Sequence, residues 1–288
     1  MTPVHHAQKH DDLIYDVGLE AGNDSDFYLK KGFRVVAFEA DATLAEAGRR
    51  RFADAIRENR FALVEGAIVE PEVVASGQRT ITFYVAKTGW GTTSSEFVQR
   101  NERLGEPSRA VEVQVVDFGM CIRRYGMPYY MKIDIEGADR ACLRTLLEFH
   151  ERPAYVSLES EKVDVKALEQ EFDLLQALGY DRFKAVQQAR PRTRIPPNPA
   201  REGRYVAHTF PVGSSGLFGR ELPGEWKDRD AVLREYRGVF WAYRLFGDDS
   251  ALRRTRFGPS IIRGLKRVLR RPIPGWYDTH ARHSTVTG

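Results

Sequence analysis

The first 190 residues alternate short apolar runs with segments of helical spacing, which is the pattern of alternating strands and helices. Helical spacing predicts one helix from Asp41 to about Asn59 and another from Val165 to Leu178. The apolar runs predict six strands of one sheet, at 13–15, 34–39, 61–64, 129–134, 154–159 and 183–186. Because such strands lie parallel with right-handed crossovers, we expect a Rossmann-like α/β sheet that binds ligands beyond the carboxyl ends of its strands.

The pattern changes after the sixth strand, which predicts three units along the chain. Residues 1–189 are expected to form the sheet domain. Residues 190–250 begin with a stretch that holds four prolines and are expected to form an elaboration around the binding site, where the last strand of the sheet can also lie. Residues 251–288 are predicted to be a basic tail.

Composition narrows the class of protein. With 288 residues, 42% of them hydrophobic, the chain can bury a core as one large domain or as one domain with an elaboration. No run approaches the roughly 18 apolar residues of a membrane span, and the start has histidines and aspartates in place of a signal-peptide core. Cys121 and Cys142 have no CxxC pairing, which predicts reduced thiols. We therefore expect a cytoplasmic globular protein.

The net charge of +4 conceals two halves of opposite sign. From Arg190 onward, 20 basic residues stand against 9 acidic ones, whereas residues 1–189 hold 24 basic and 31 acidic residues. This division predicts that the first part binds a cationic or neutral ligand and that the later part faces an anionic partner. A solvated basic surface is the plainer interpretation of the second half.

A glycine turn follows the first strand, in the segment Asp16–Gly22. Its glycines are spaced G-x-x-x-G, not GxGxxG as in dinucleotide sites, and Asp16 and Glu20 would repel a phosphate. The loop therefore favours a cationic, phosphate-free cofactor, and S-adenosylmethionine fits this description. Glu39 ends the second strand 21 residues after Gly18, a spacing that places an acid on a ribose.

The ends of these strands supply the predicted cofactor contacts. They share one edge of the sheet, because carboxyl ends of parallel strands meet there. The predicted cofactor-binding residues are Asp16, Gly18, Glu20, Gly22, Glu39, Ala40, Gly66 and Asp134.

Four motifs, read in order, resemble a known family. They are Asp16-Val17-Gly18 with Gly22, the run 36–39 that ends in Glu39, Val116-Asp117 before a helix, and the block KIDIEGAD at 132–139. Over residues 13–180 the chain resembles the FkbM-type family of S-adenosylmethionine-dependent methyltransferases. The resemblance implies a class I methyltransferase sheet with an antiparallel last strand. It also implies O-methylation of a hydroxyl on a sugar, a glycan or a secondary metabolite.

Carboxylates at the ends of the fourth and fifth strands are the candidates for proton transfer. Asp134 and Glu159 are placed to meet both cofactor and acceptor, and each is equally typical of a helix cap or an ion pair with Lys132. His208 is a further candidate base because an imidazole titrates near neutrality, although a lone histidine is more typical of a packed or surface position. With Glu136, Asp134 and Glu159 can also hold a divalent cation, which we do not expect to be required.

The long polar loop 87–109, between predicted strands 80–86 and 111–116, offers groups for an acceptor. Its centre is rich in glycine and hydroxyl groups, which suits either a lid or an ordinary surface loop. The predicted substrate-binding residues are Trp90, Thr92, Ser94 and Glu136.

The basic tail leaves several partners open. From Leu252 to Arg271 there are eight basic residues and no acidic one, with an apolar stripe at helical spacing. Such a helix can bind an anionic membrane surface at the inner face, contact an anionic acceptor, or pack on the sheet domain. No specific nucleic acid is expected, although RNA ribose methylation is an alternative. Leu19 and Glu20 replace the Ala-Asn usual in the family, which favours a non-catalytic S-adenosylmethionine-binding protein as another alternative.

Overall fold

The computed structural model describes residues 5–86, 91–92, 108–135, 137–160, 164–189, 191–246 and 277–287. The strands are β1 (Lys9–Val17), β2 (Arg34–Glu39), β3 (Phe61–Glu65), β4 (Ala67–Ile68), β5 (Thr80–Ala86), β6 (Gly91–Thr92), β7 (Ser108–Val116), β8 (Met127–Ile133), β9 (Tyr155–Glu159), β10 (Tyr180–Gln187) and β11 (Tyr277–His283). The α-helices are α1 (Asn23–Lys30), α2 (Ala42–Arg51), α3 (Ala53–Arg57), α4 (Pro71–Ala75), α5 (Phe118–Tyr125), α6 (Asp139–Leu146), α7 (Val165–Ala177) and α8 (Arg229–Phe246).

The main sheet has seven strands in the order β3-β2-β1-β8-β9-β11-β10. Neighbouring strands from β3 to β9 run parallel, and β11 is antiparallel to both β9 and β10. This arrangement confirms the predicted mostly parallel α/β sheet with one antiparallel last strand. It also places the ends of β1, β2, β8 and β9 along one edge, as expected.

The antiparallel last strand is formed by residues 277–283 and not by residues 190–250, which the sequence left open as its position. Its sequence, YDTHARH, has no alternation of apolar residues, so periodicity gives no strand signal. Asp278, Thr279 and His280 are nevertheless buried, and the Thr279 hydroxyl lies 2.8 Å from both the Ser160 and the Tyr236 hydroxyl oxygens. The sheet is therefore not complete at residue 189.

A second, smaller sheet stands beside the main one, in the order β4-β7-β5-β6. The predicted strands at 80–86 and 111–116 belong to it as an antiparallel pair. Gly66 connects the two sheets, because it lies between β3 and β4. A Cβ on this residue would lie 2.5 Å from the carbonyl oxygen of Gln114 on β7, so the two sheets approach closely here.

Two apolar clusters cover the two faces of the main sheet. On β1, Leu13, Tyr15 and Val17 face one cluster and Ile14 faces the other. Helices α5, α6 and α7 cover the first face, and α1 and α3 cover the second. Burial on both faces explains why the central strands read as nearly continuous apolar runs. None of the helices that the structure describes is both long and apolar enough to cross a bilayer.

The helix predicted from Asp41 onward starts as expected and is divided in two. The Asp41 carboxylate accepts hydrogen bonds from the amides of Thr43 (2.7 Å) and Leu44 (3.2 Å), which caps α2. The helix breaks at Phe52, whose ring packs 4.5 Å from that of Phe61. This cap fixes the chain directly after Glu39.

Candidate functional site

A buried lysine lies at the carboxyl edge, surrounded by three carboxylates. The Lys132 ammonium nitrogen is 3.2 Å from Asp16, 3.8 Å from Asp134 and 4.0 Å from Asp24, and the lysine side chain is only 5% exposed. It also donates a hydrogen bond of 2.8 Å to the carbonyl oxygen of Gly18. One buried cation thus joins the glycine turn to the end of β8 and leaves negative charge in excess.

Gly18 is required where β1 and β8 end. Its φ is +92°, and a Cβ on this residue would lie 2.0 Å from the carbonyl oxygen of Asp134. The amide of Asp134 in turn donates to Val17, at 2.8 Å. Only glycine permits this approach, which holds the turn against Asp134.

Glu39 binds the turn from the end of β2. Its two carboxylate oxygens accept hydrogen bonds from the amides of Glu20 and Asp41, each at 2.9 Å. Glu20 adopts the left-handed conformation, with φ of 49°, and its side chain is exposed. Burial raises the pKa of Glu39 to about 6, against the opposing effect of these amide donors. Each oxygen has accepted one bond and can accept another.

Leu19, one of the two residues that depart from the family pattern, belongs to the core. It is 3% exposed, and a Cβ on Gly48 of α2 would lie 2.6 Å from its side chain. A Cβ on Gly22 would lie 2.7 Å from the ring of Phe52. The turn therefore packs down on α2 through Leu19, while Glu20 faces outward.

Asp134 combines partial exposure with a raised pKa. Its side chain is 24% exposed. Burial raises the pKa of Asp134 to about 7, the Lys132 ammonium opposes this shift, and Glu159, Asp139 and Asp24 add to it. A carboxyl group with this pKa can exchange a proton near neutral pH.

More carboxylates extend the acidic edge beyond Asp134. Glu159 and Asp278 are paired in register on β9 and β11. Burial, followed by the charges of Asp134 and Glu159, raises the pKa of Asp278 well above its usual value, and Gln188 donates a hydrogen bond of 2.5 Å to it. Burial and the charge of Glu159 also raise the pKa of Asp139 to about 6. A bound cation would relieve the mutual repulsion of these groups.

The sequence correctly placed Asp16 at the strand end but gave no sign of its burial. Asp16 is fully buried and accepts a hydrogen bond of 2.6 Å from the Ser25 hydroxyl. It therefore supports the turn from beneath, and its direct contact with a cofactor remains a prediction. Ala40 and Gly66 follow the ends of β2 and β3, and the Gly66 amide donates to the Glu39 carbonyl, at 2.9 Å.

His208 lies among aromatic rings at α1. Its ring centroid is 4.9 Å from that of Phe27 and 4.8 Å from that of Phe210. Burial lowers the pKa of His208, and Lys30 adds to this shift while Asp26 opposes it. None of these neighbours is a carboxylate of the acidic edge, and a catalytic role of His208 remains a prediction.

Several predicted acceptor and metal contacts cannot be located. Trp90, Ser94 and Glu136 lie outside the described residues, as does the predicted basic helix. Thr92 pairs with Tyr84 in the second sheet, and its side chain is not described. In the described part of the chain, Asp134 and Glu159 do not form a set of three close metal-ligand groups.

Sequence reasoning missed Asp24, the buried acid at the start of α1. Its two carboxylate oxygens each accept a hydrogen bond of 3.0 Å from the Ser215 amide. Burial raises the pKa of Asp24 to about 6, Lys132 opposes the shift and Asp16 adds to it. An acid in the first turn of a helix looks like an ordinary dipole partner, so no signal marked it. Asp24 connects residues from beyond 200 to the acidic edge.

The donor set fits S-adenosylmethionine. This cofactor has an ammonium, a sulfonium and a ribose diol, and it has no phosphate. Glu39 has acceptor capacity for the diol, and the edge from Asp134 to Asp278 has negative charge for the cations. Gly18 and Gly22 let the turn pack closely on Asp134 and Phe52.

The mostly parallel sheet with its antiparallel last strand agrees with a family match that defines the class: this protein is a class I, S-adenosylmethionine-dependent methyltransferase. A model of the methyltransferase FkbM domain matches residues 16–182, which is more than half of the chain. The chain therefore belongs to the FkbM methyltransferase family.

The chain is also similar, at low identity, to solved structures of other methyltransferases. StiE O-MT is 9% identical and matches over 96% of this chain and 69% of its own, with a TM-score of 0.40. Geranyl diphosphate C-methyltransferase from Streptomyces coelicolor A3(2) is 8% identical. It matches over 96% of this chain and 75% of its own, with a TM-score of 0.37. Precorrin-6y C5,15-methyltransferase from Geobacter metallireducens GS-15 is 14% identical. It matches over 63% of this chain and 70% of its own, with a TM-score of 0.30. No curated protein sequence matches the chain. The family assignment accordingly rests on the sequence match.

Proposed function

We propose that this methyltransferase acts on a hydroxyl group of a sugar, a glycan or a secondary metabolite, with Asp134 as the base. The observation that carries the proposal is the partly exposed Asp134 carboxyl, whose pKa burial raises to about 7, at the edge that fits the cofactor. A neutral hydroxyl is a weak nucleophile, and a positioned base that removes its proton accelerates its reaction by about 10² to 10⁴.

The residues around Asp134 have distinct tasks in this proposal. S-adenosylmethionine supplies an electrophilic methyl group when it is bound. Glu39 binds and orients the ribose, and Gly18 keeps the turn close to Asp134. The Lys132 ammonium, 3.8 Å from Asp134, lowers the pKa of that carboxyl and so keeps a useful fraction ionised at neutral pH. Asp134 then accepts the proton of the acceptor hydroxyl.

Glu159 is the alternative base on the neighbouring strand. Its charge adds to the rise in the pKa of Asp134 that burial causes. We expect Glu159 to maintain the raised pKa of Asp134 and to attract the cationic cofactor. Substitution of each residue separates the two roles.

The proposal is tested by release of S-adenosylhomocysteine from the full chain with S-adenosylmethionine and a panel of sugars, nucleotide sugars, glycans and polyketide-like alcohols. RNA serves as the comparison acceptor. We expect turnover with a hydroxyl-bearing small molecule or glycan, and turnover that rises with pH through about 7. Methylation of RNA alone, or cofactor binding without turnover on any acceptor, would contradict the proposal.

Asp134→Asn is expected to reduce that turnover by about 10² to 10⁴ while cofactor binding is retained. Glu159→Gln, the matched change on β9, is expected to reduce turnover less and to move the pH profile toward lower pH, because the pKa of Asp134 falls when the neighbouring charge is removed. A larger loss in Glu159→Gln than in Asp134→Asn would assign the base to Glu159.

A further inference from the structure

A second group of titratable side chains lies at the opposite, amino-terminal edge of the sheet. His6 precedes β1, and His150 and Glu151 precede β9. The backbone holds these two segments together: the His5 amide donates to the Glu148 carbonyl at 2.7 Å, and the His150 amide donates to the His5 carbonyl at 2.9 Å. The proximity of the three side chains is therefore built into the fold.

The carboxylate between the two imidazoles is oriented by the main chain. The Ala7 amide donates a hydrogen bond of 2.9 Å to Oε2 of Glu151. This bond leaves Oε1 directed at the histidines, with His6 Nδ1 at 3.0 Å and His150 Nδ1 at 3.7 Å. The ligand atoms of all three residues lie within 4.8 Å of one another, and no other such set occurs in the described part of the chain.

These spacings match the coordination shell of a small divalent ion. Zinc binds histidine nitrogen and carboxylate oxygen at about 2.0 to 2.2 Å, so two ligand atoms of a tetrahedral site are about 3.3 to 3.6 Å apart. The two nitrogen-to-oxygen distances, 3.0 and 3.7 Å, lie on either side of this interval. Small side-chain rotations are enough to bring all three atoms onto one ion.

We propose that His6, His150 and Glu151 bind a divalent transition-metal ion of the zinc class. Two imidazoles and one carboxylate are a ligand set that such ions prefer over magnesium or calcium, which favour oxygen ligands. The histidine side chains are 75% and 72% exposed, so water can complete the shell. The site joins the segment before β1 to the connection between α6 and β9. It lies at the edge opposite Asp134, so the ion stabilises this junction and takes no part in methyl transfer.

The test is calorimetry of the tag-free, metal-stripped full chain with Zn²⁺, with thermal unfolding as a second readout. We expect one ion per chain, a higher melting temperature with Zn²⁺, and no comparable response to Mg²⁺. Binding should weaken in acid, because imidazoles must be neutral to act as ligands. Absence of saturable Zn²⁺ binding overturns the proposal.

Matched variants assign the site. His6→Gln and His150→Gln are each expected to weaken Zn²⁺ binding more than about tenfold, since each removes one of three protein ligands. His10→Gln changes a histidine four residues from His6 that is outside the set, and it should bind Zn²⁺ as the wild type does. Because His6 and His150 are exposed, their variants are expected to fold normally, which circular dichroism checks. Undiminished binding in both ligand variants, or an equal loss in His10→Gln, also overturns the proposal.

Discussion

Lys31 and Lys132 are both buried lysines, but their charges are matched differently. The Lys31 ammonium is 2.8 Å from Glu221, and both side chains are fully buried. Glu221 also accepts hydrogen bonds from the amides of Arg201 and Glu202, at 3.1 and 3.3 Å. Lys132 has three carboxylates within 4.0 Å. Lys31 thus has one buried acid as its ion-pair partner, whereas Lys132 lies in an acidic cluster that one cation cannot neutralise.

We expect Lys31 to have a structural role and Lys132 to have a functional one. The Lys31 pair joins α1 to the segment 201–221, and its two charges balance. Around Lys132, burial and mutual repulsion raise the pKa of Asp24 to about 6 and that of Asp134 to about 7. Excess negative charge is costly unless a ligand compensates for it. We therefore expect the first pair to govern folding and the second cluster to govern cofactor binding and proton transfer.

Lys31→Met should have the largest effect on stability. Removing one partner of a buried ion pair leaves Glu221 uncompensated, at a cost of about 3–5 kcal/mol in the free energy of unfolding. The control is Lys30→Met on the neighbouring residue, whose ammonium is exposed and pairs with Asp26, with an expected change below about 0.5 kcal/mol. Urea unfolding measures both. An equal loss in the free energy of unfolding in the two variants would contradict the structural role of the Lys31 pair.

Lys132→Met should cost less, and its cost should depend on pH. Asp24 and Asp134 have pKa values of about 6 and 7, so protonation can replace the lost cation at low pH. We expect the free energy of unfolding to fall by about 3 kcal/mol at pH 8 and by about 1 kcal/mol at pH 6. Urea unfolding at the two pH values tests this, and a loss independent of pH would show that the carboxylates do not take up protons.

Glu39→Gln should weaken S-adenosylmethionine binding without disturbing the sheet. Loss of charge-assisted hydrogen bonds to the ribose is expected to reduce affinity by about 10- to 100-fold, measured by calorimetry. The control is Glu65→Gln at the end of β3, where the carboxylate is exposed and pairs with Arg49 at 2.7 Å. Indistinguishable affinities for the two variants would mean that Glu39 only holds the turn.

His208→Phe should change turnover least, by less than about twofold, because the His208 ring packs against the rings of Phe27 and Phe210. The pKa of His208 is lowered by burial, so its stability contribution is full above the usual pKa near 6.5 and falls as pH decreases below it. The phenylalanine variant should therefore lose part of this acid sensitivity, measured as melting temperature at pH 5.5 and 7.5. A hundredfold loss of turnover would instead identify His208 as the base.

The features of the fold that could be predicted from the sequence are those that produce a strong pattern of apolar residues and glycines. The five buried parallel strands, the glycine turn and Glu39 at the end of β2 follow from apolar runs and spacing. The sequence could not predict β11, whose buried Asp278 and His280 carry no apolar signal. It also could not predict that Asp16 is buried beneath the turn or that Asp24 joins the acidic edge, because both facts depend on contacts between distant segments, including the bond from Ser215.

The most direct test of the acidic edge is calorimetry of S-adenosylmethionine binding at pH 6.5 in buffers of different ionisation enthalpy. A cationic ligand lowers the pKa of nearby carboxyls, so binding to groups with pKa values of about 6 and 7 must release protons. We predict net proton release that is clearly reduced in Asp134→Asn. Binding with no proton exchange, or with the same exchange in both proteins, would contradict the account.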